Sequence, residues 1–257
     1  MKEKLTIIKI GGKIIEDHAA LDAFLSRFAS VPGHKILIHG GGRTATDLAA
    51  KLGVETIMTN GRRVTDLQTL KIVTMVYAGL INKNITARLQ ALNVNALGLT
   101  GADMNIIRAH RRVNADIDYG FVGDPDKTDS QRLASLLHSG ITPVIAPITH
   151  DGCGNLLNTN ADTIASETAA ALAPHFDVTL FFCFEKKGVL LNPEDENSLI
   201  PHINSADYQT LLARHVIKEG MLPKLLNAFN ALRAGVRRVI ITQPSQINTQ
   251  SGTIVEL

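Results

Sequence analysis

Residues 5–12 read LTIIKIGG, and residues 35–42 read KILIHGGG. In both stretches a run of apolar and β-branched residues ends at glycines, which is typical of a buried strand followed by a tight turn into a helix. Similar runs, such as TPVIAPI at 142–148, alternate with helical periodicity along the chain. The pattern predicts stacked βαβ units, and therefore an open αβα sandwich of the α/β class with a mostly parallel central sheet.

The boundaries of the elements follow from the same patterns. The predicted strands are Leu5–Ile10, Lys35–His39, Ala96–Thr100, Asn105–Arg111, Pro143–Ile148, Val178–Phe184 and Val239–Thr242. The predicted helices are Asp17–Phe28, Thr44–Leu52, Asp66–Leu92 with a break, Ser130–His138, Ala161–Ala173, Ala206–His215 and Leu222–Ala234. Residues 114–129 are predicted to be a surface loop or hairpin, because they contain several Asp residues, two glycines and a proline.

Composition limits the function. The 257 residues include 26 Lys and Arg against 24 Asp and Glu, and 45% are apolar, which excludes a disordered chain and gives no basic run for nucleic acid. We expect no membrane partner, since no apolar stretch reaches the roughly 18 residues of a span. The two cysteines form no metal or disulfide pattern, and the amino terminus lacks a signal-peptide pattern, which together indicate a cytoplasmic protein. A mild boundary at Pro174 predicts an N-terminal lobe, 1–173, and a C-terminal lobe, 174–257.

Both glycine turns follow predicted strands, and their backbone N–H groups could cradle an anion at the start of the next helix. Each turn alone could equally be a tight connection, but two turns at neighbouring strand ends favour a phosphate or carboxylate ligand. The sequence contains no Walker A loop and no G-x-S-x-G nucleophile, and no acidic strand end follows the HGGG turn at dinucleotide-binding spacing. A P-loop kinase, a serine hydrolase and a dehydrogenase are therefore not supported.

Four charged residues stand beside these turns or at helix starts. Lys9 ends a strand that is otherwise buried, so it needs a partner or a ligand unless it reaches solvent at an edge. Asp162 lies in the first turn of a helix capped by Asn160, where dipole compensation alone would explain it. Lys224 follows a proline-initiated helix start, which suits a cation only if an anion binds there. Arg63 precedes another helix and could be either a ligand for an anion or solvated.

Taken in order, the segments IKIGG, IHGGG, NGRRVT, ALGLTGAD, GFVGD, TPVIAPI, NLLNTNAD and EGMLPK resemble the N-acetyl-L-glutamate kinase family, which has the amino-acid kinase fold. The likeness extends from Ile8 to about Ala231. It implies an ATP-dependent phosphotransferase that phosphorylates the side-chain carboxylate of N-acetyl-L-glutamate in arginine biosynthesis. It also implies that the N-terminal lobe binds the acyl amino acid and forms a homodimer, while the C-terminal lobe binds ATP.

The resemblance assigns roles to individual residues. Lys9 and Lys224 would stabilise the phosphoryl group in flight, and Asp162 would orient both lysines. The substrate-binding set is Gly41, Gly42, Arg63 and Asn158. The nucleotide-binding set is Gly11, Gly12, Glu185, Lys187, Gly188 and Ile217, within the stretches Glu185–Leu190 and Val216–Lys218. No protein metal site is expected, since Mg²⁺ would be held mainly by the nucleotide phosphates.

The sequence departs from the family at one turn. Where the family often has Asp-Val-x-Gly after the nucleotide-lobe strand, residues 185–188 read EKKG, which leaves the contacts to adenine and ribose open. The sequence does not reveal the residues of the acyl pocket either. Arg62, beside Arg63, could favour a substrate with a longer, charged acyl group, such as N-succinyl-L-glutamate. A non-catalytic amino-acid or nucleotide sensor is the alternative from another class. Because the first strand begins near Leu5, we expect no N-terminal helix and no feedback by arginine.

Overall fold

The computed structural model describes residues 2–59, 61–192, 194–214, 216–217, 221–249 and 251–257. Within these ranges the strands are β1 (Lys4–Ile10), β2 (His34–His39), β3 (Met58–Thr59), β4 (Arg62–Arg63), β5 (Ala96–Leu99), β6 (Ile107–Arg111), β7 (Gly123–Thr128), β8 (Thr142–Ile145), β9 (Ile148–His150), β10 (Leu156–Asn158), β11 (Asp177–Cys183), β12 (His202–Ile203), β13 (Arg238–Thr242) and β14 (Thr253–Val255).

The helices, in the same ranges, are α1 (Gly12–Glu16), α2 (His18–Ser30), α3 (Gly42–Lys51), α4 (Leu67–Thr74), α5 (Asn82–Ala91), α6 (Ser130–His138), α7 (Ala161–Leu172), α8 (Ser205–Ala213) and α9 (Leu222–Arg233). A π-helical segment, Met75–Ile81, joins α4 to α5, and short 3₁₀ turns lie at Asp103–Asn105 and Pro244–Gln246. No helix in the described ranges has both the length and the apolar character needed to cross a membrane.

An eight-stranded sheet forms the centre of the fold, in the order β12-β14-β13-β11-β1-β2-β8-β5. Of its described pairings, only β13 with β14 is antiparallel. Strand β1 lies in the middle, where it pairs in parallel with β11 on one side and with β2 on the other. The prediction of a mostly parallel sheet is therefore confirmed.

Helices cover both faces of this sheet, as the near-continuous apolar strands require. Ile7 belongs to a core cluster with residues of α6, α7 and α9, whereas its neighbour Ile8 belongs to a second cluster with residues of α2, α4 and α5. Successive residues of a strand point to opposite faces, so β1 contributes to both cores. This arrangement is the predicted αβα sandwich.

One predicted strand is divided in the structure, and the predicted loop or hairpin contains a strand. The strand predicted over Pro143–Ile148 is divided into β8, in the main sheet, and β9, in a separate four-stranded sheet of order β10-β9-β6-β7. The division falls at Pro147, which has no N–H for a ladder hydrogen bond. In the predicted loop or hairpin at 114–129, residues Gly123–Thr128 form β7, which pairs antiparallel with β6. Apolar alternation does not reveal β7, because its sequence is GDPDKT.

The break predicted within Asp66–Leu92 is not an interruption. The chain remains helical through the π-helical segment, where the N–H of Asn82 donates to the carbonyl of Tyr77, five residues earlier. The helix predicted over Ala206–His215 is present as α8, and His215 itself lies outside the described residues.

Candidate active site

The second glycine turn of the chain, residues 40–42, is called the glycine turn. A first cavity of about 170 Å³ lies beyond the carboxyl end of β2 and is enclosed by this turn, β4, β10 and the start of α7. We call it the acceptor cavity. Its lining contains two arginines and no carboxylate, and the full set is Gly40, Gly41, Gly42, Met58, Gly61, Arg62, Arg63, Tyr77, Val122, Pro147, Asn158, Thr159, Asn160 and Ala161. The position agrees with the rule that ligands of open α/β sheets bind at the carboxyl ends of strands.

The glycine turn is shaped by close packing at Gly41. Its φ of 151° lies in the region that favours glycine, and a Cβ there would collide with the side chains of Ile81 and Tyr77. Gly41 is also the N-cap of α3, and no side chain among the described residues caps that helix. Because Gly41 and Gly42 line the acceptor cavity, the start of α3 lies at its wall, where backbone N–H groups can bind an anion.

Arg63 is buried in the wall of this cavity. Its guanidinium donates to the Gly42 carbonyl at 2.7 Å, to Thr46 Oγ1 at 2.8 Å and to Thr56 Oγ1 at 3.0 Å. Among the described residues no carboxylate lies within ion-pair distance of it. The contacts fix the guanidinium beside the glycine turn, and its positive charge is left for a ligand.

The opposite wall of the acceptor cavity carries amide side chains. Asn158 Nδ2 donates to Thr65 Oγ1 at 3.0 Å, which fixes the orientation of this amide. The side chain of Asn160 caps α7 by accepting from the N–H groups of Asp162 and Thr163. The cap is the one predicted from the sequence, and it places the start of α7 against the cavity.

A network of buried hydrogen bonds fixes the glycine turn on the side away from the cavity. His39 Nδ1 donates to the Gly40 carbonyl at 2.8 Å, and His39 Nε2 accepts from Asn82 Nδ2 at 3.1 Å. Asn82 Nδ2 also donates to the Val144 carbonyl at 2.9 Å. Burial lowers the pKa of His39 to about 4, so the imidazole is neutral at pH 7 and keeps one tautomer.

Three charged side chains meet next to the start of α7. Lys9 Nζ lies 2.7 Å from Asp162 Oδ1, and Lys224 Nζ lies 2.8 Å from Asp162 Oδ2. Each side chain is about one-tenth exposed. Lys9 comes from the end of β1, Asp162 from the first turn of α7 and Lys224 from the first turn of α9. We refer to this group as the charged triad.

Burial and pairing act against each other in the triad. Burial alone would raise the pKa of Asp162, but the charges of Lys9 and Lys224 outweigh it, and this pKa lies far below its usual range. Burial lowers the pKa of Lys9, while the Asp162 carboxylate opposes that effect. Two ammoniums sharing one carboxylate have a net positive charge, which an anionic ligand would neutralise.

A second cavity of about 390 Å³ lies on the other side of the triad, beyond the carboxyl ends of β1 and β11. We call it the donor cavity. Its lining residues are Lys9, Gly11, Cys183, Phe184, Glu185, Lys186, Gly188, Val189, Leu190, Val216, Ile217, Met221 and Lys224. Cys183 is buried, and burial raises the pKa of its thiol to about 12, so it is not a nucleophile at neutral pH.

The turn at residues 185–188 is divided between the donor cavity and its rim. Glu185 Oε1 accepts from Lys13 Nζ at 2.8 Å, which connects this turn to the first glycine turn. Lys187 does not line the cavity, and its ammonium lies 3.6 Å from Glu196 Oε2. Gly188 is tightly packed, because a Cβ there would meet Leu199 and Thr253.

The structure therefore brings most of the predicted site residues together in two groups. The predicted substrate-binding residues all line the acceptor cavity, and the lysines of the triad line the donor cavity with Gly11, Glu185, Gly188 and Ile217. Gly12 begins α1 next to Gly11 without lining the cavity, and Lys187 lies apart. Lys218 and two residues of the EGMLPK motif, Glu219 and Gly220, lie outside the described residues.

Several residues of the site were not predicted from the sequence. Tyr77 lines the acceptor cavity from the π-helical segment, and burial raises its pKa, so its hydroxyl remains protonated. His39 and Asn82 act through the glycine turn. The position of His39 directly before three glycines was a usable signal, whereas nothing in the sequence connects Tyr77 or Asn82 to the turn.

Residues 4–243 match the amino acid kinase family. The chain therefore belongs to the amino acid kinase family.

Within that family, its relatives are acetylglutamate kinases. The enzyme of Bacteroides fragilis is 60% identical over 256 residues, which cover 100% of this chain and 98% of the relative. The acetylglutamate kinase of Bacteroides thetaiotaomicron is 59% identical and is covered completely by the same length. A solved structure from Streptococcus mutans superposes with a TM-score of 0.82 at 27% identity, covering 98% of both chains.

Proposed function

We propose that this chain is a kinase that transfers the γ-phosphoryl group of ATP to the side-chain carboxylate of N-acetyl-L-glutamate. The products are N-acetyl-L-glutamyl 5-phosphate and ADP, and the reaction belongs to arginine biosynthesis. The observation that carries the proposal is the charged triad, which lies between an arginine-lined cavity and a larger, mainly apolar one.

The acceptor cavity suits an acylated dicarboxylate. The guanidinium of Arg63 supplies a fixed positive charge for one carboxylate, and the Asn158 amide supplies polar contacts for the same end of the molecule. The N–H groups at Gly41 and Gly42 face the other carboxylate, near the start of α3. Because this lining has no acidic residue, a dianion would meet no like charge there.

The donor cavity suits a nucleoside triphosphate. Its walls include the apolar side chains of Val189, Leu190 and Ile217, which can hold the base, and its inner end carries both lysines of the triad. Backbone N–H groups at Gly11 and Gly12 lie at the start of α1, beside Lys9, where they could bind phosphate oxygens. ATP would therefore lie with its γ-phosphate toward Asp162 and the acceptor cavity.

No general base is needed for this transfer. The acceptor carboxylate is ionised at pH 7, so one of its oxygens forms the new bond to the γ-phosphorus while the bond to the bridging oxygen of ADP breaks. The ammoniums of Lys9 and Lys224 would stabilise charge on the phosphoryl oxygens, and Asp162 would hold both lysines in position before ATP binds. Catalysis then depends on alignment and on charge stabilisation.

Mg²⁺ would supply positive charge that offsets the phosphates of ATP. The carboxylates nearest to the donor cavity are already paired, Asp162 with two lysines and Glu185 with Lys13. The described residues therefore fit a cation held mainly through the nucleotide phosphates and water.

Two further features complete the proposal. The boundary at 173 and 174 would separate an acyl amino acid lobe from an ATP lobe, joined through the pairing of β1 with β11. The active form would be a cytoplasmic homodimer, which light scattering on the purified protein can test.

A coupled assay of ADP release tests the activity, with hydroxylamine added to trap the acyl phosphate as a hydroxamate. We expect turnover with N-acetyl-L-glutamate and much less with free L-glutamate. Arg62, which also lines the acceptor cavity, favours an acyl group with an extra negative charge, so N-succinyl-L-glutamate belongs in the panel. A preference for the succinyl compound that is lost in Arg62→Ala would change the substrate, and no hydroxamate with any compound would contradict the proposed kinase.

A further inference from the structure

A cluster of two histidines and one glutamate lies at the amino-terminal ends of the central strands of the main sheet. The active site lies at the opposite, carboxyl-terminal ends. Glu3 Oε2 is 3.1 Å from His34 Nε2 and 3.4 Å from His138 Nε2. One ligand atom from each residue lies within 4.8 Å of the others, and no other such group of three was found among the described residues. These distances are close to the roughly 3.3–3.5 Å that separates ligands around a tetrahedral zinc ion.

Three separate elements bring the cluster together. Glu3 immediately precedes β1, His34 is the first residue of β2 and His138 is the last residue of α6. Because β1 and β2 are parallel neighbours, with Leu5 paired to His34, their amino ends lie side by side. The cluster therefore depends on the fold, and residues distant in sequence form it.

The imidazoles are also held in place by an aromatic ring. Phe176 precedes β11, and its ring centroid lies 5.5 Å from that of His34 and 5.5 Å from that of His138. The two imidazole centroids are 5.6 Å apart. Packing of this kind limits the rotamers of both histidines while their Nε2 atoms are directed at one carboxylate oxygen.

From this convergence we propose that Glu3, His34 and His138 form a binding site for a divalent transition-metal ion of the zinc type. Imidazole nitrogen and carboxylate oxygen are suitable ligands for such an ion, and a set of two histidines and one glutamate leaves a fourth position for water. Neither the phosphotransfer nor the binding of its substrates uses these residues.

The function of the ion would be structural. Lys9 lies six positions after Glu3, which corresponds to about 20 Å at the rise of an extended strand. An ion at this site would tie the segment before β1 to β2 and to α6, so it would stabilise the folded chain without entering the reaction. Because it binds only the folded state, its effect on stability would grow with its concentration.

Other histidine and carboxylate pairs on this protein provide matched controls. His202 Nδ1 lies 3.2 Å from Glu256 Oε1, and His110 Nδ1 lies 2.6 Å from Asp126 Oδ1. Among the described residues neither pair has a third ligand within reach. If surface pairs were sufficient for metal binding, these two would bind as well as the proposed site.

The test uses the full-length protein, with any affinity tag removed, stripped with EDTA and titrated with Zn²⁺ by calorimetry. Cys153→Ser serves as the background, because Cys153 is an exposed thiol that could bind zinc on its own. We expect one equivalent to bind, with the affinity at least tenfold weaker in Glu3→Gln, His34→Gln and His138→Gln and unchanged in His202→Gln. Zn²⁺ should also raise the thermal midpoint of the background protein and not that of His138→Gln.

Folding of the variants can be checked separately. The side chains of Glu3 and His138 are 62% and 58% exposed, so their metal-free thermal midpoints should stay close to that of the background protein. Turnover with ATP should be the same in all of them. The site is excluded if the background protein binds no zinc, if His202→Gln weakens binding as much as His138→Gln does, or if the ligand variants bind as well as the background.

Discussion

The two cavities on either side of the charged triad differ in how they are built. The acceptor cavity, about 170 Å³, is formed by backbone at the glycine turn and by fixed polar side chains such as Arg63. The donor cavity, about 390 Å³, has mainly apolar walls, and its charged lining residues are the two triad lysines together with Glu185 and Lys186. The smaller cavity can therefore select by charge and geometry, whereas the larger one offers a mainly apolar surface on which a ligand can be buried.

The largest effect is expected where the cavities meet. Lys9→Ala and Lys224→Ala should each lower kcat by about 10²-fold or more, because in the proposed mechanism each lysine is a preorganised group that stabilises the charge in transfer. Steady-state kinetics with saturating ATP and acyl amino acid measure the effect. Lys127→Ala, an exposed lysine on β7, is the control and should keep normal kcat. Near-normal turnover in either triad variant would remove that lysine from the mechanism.

Removal of the acceptor-side arginine should act on one substrate only. In Arg63→Ala the KM for N-acetyl-L-glutamate should rise by about 10- to 100-fold, the value of a charge-assisted hydrogen bond, and the KM for ATP should not change. Arg63→Lys keeps the charge without the fork of donors, and it should lie between the two. An increase limited to the KM for ATP would reverse the assignment of the two cavities.

The acceptor side also contains a buried group that titrates. Burial lowers the pKa of His39 to about 4, below its unfolded value of about 6.5, so the unfolded chain takes up a proton first as the pH falls. The contribution of neutral His39 to the free energy of unfolding is fully present above about pH 6.5. It is lost as the pH falls from about 6.5 to about 4. Between pH 7 and pH 5 the free energy of unfolding should fall by about 2 kcal/mol more in the wild type than in His39→Gln. Urea unfolding of both proteins at the two pH values measures this difference. Equal losses of unfolding free energy in the wild type and in His39→Gln would contradict a buried, neutral His39 behind the glycine turn.

The smallest effect is expected on the donor side. Ile217→Val removes one methylene from the apolar wall, which should raise the KM for ATP by about three- to fourfold and leave the KM for N-acetyl-L-glutamate unchanged. The same kinetic assay, with ATP varied, measures it. A change of 100-fold would mean that this wall fixes the nucleotide by geometry as well, and the contrast between the cavities would be weaker than proposed.

The sequence predicted the main sheet well, because strands such as β1, β2 and β11 are buried on both faces and read as unbroken apolar runs. It predicted only a loop or hairpin where β7, with its polar sequence, is found, and it did not predict the division at Pro147, where the chain passes from one sheet to another. Both features depend on backbone pairing with other strands, β7 with β6 and β9 with β10 and β6, which local apolar periodicity does not identify.

The site divides in the same way. Lys9, Asp162 and Lys224 could be selected because a charge at a buried strand end, or a cation at a helix start, conflicts with its local setting. Tyr77 and Asn82 gave no such signal, since a tyrosine and an asparagine are ordinary in a helix. Their places in the site depend on the π-helical segment and on contacts with distant elements, and no residue pattern in the sequence marks either of these.

The π-helical segment has a consequence for chain length. Each residue of an α-helix advances the side chains by about 100° around the axis, so one residue more or fewer rotates everything that follows. The wider turn at Met75–Ile81 allows Tyr77 to face the acceptor cavity while Asn82, five positions later, faces His39. Deletion of a single residue here, for example Gly79, would restore an ordinary helix in which Asn82 follows Tyr77 by four positions, which is again about one turn, so both side chains would keep nearly the same directions. This stretch should therefore tolerate the loss of one residue better than the gain of one, because an inserted residue would rotate Asn82 by about 100° away from His39.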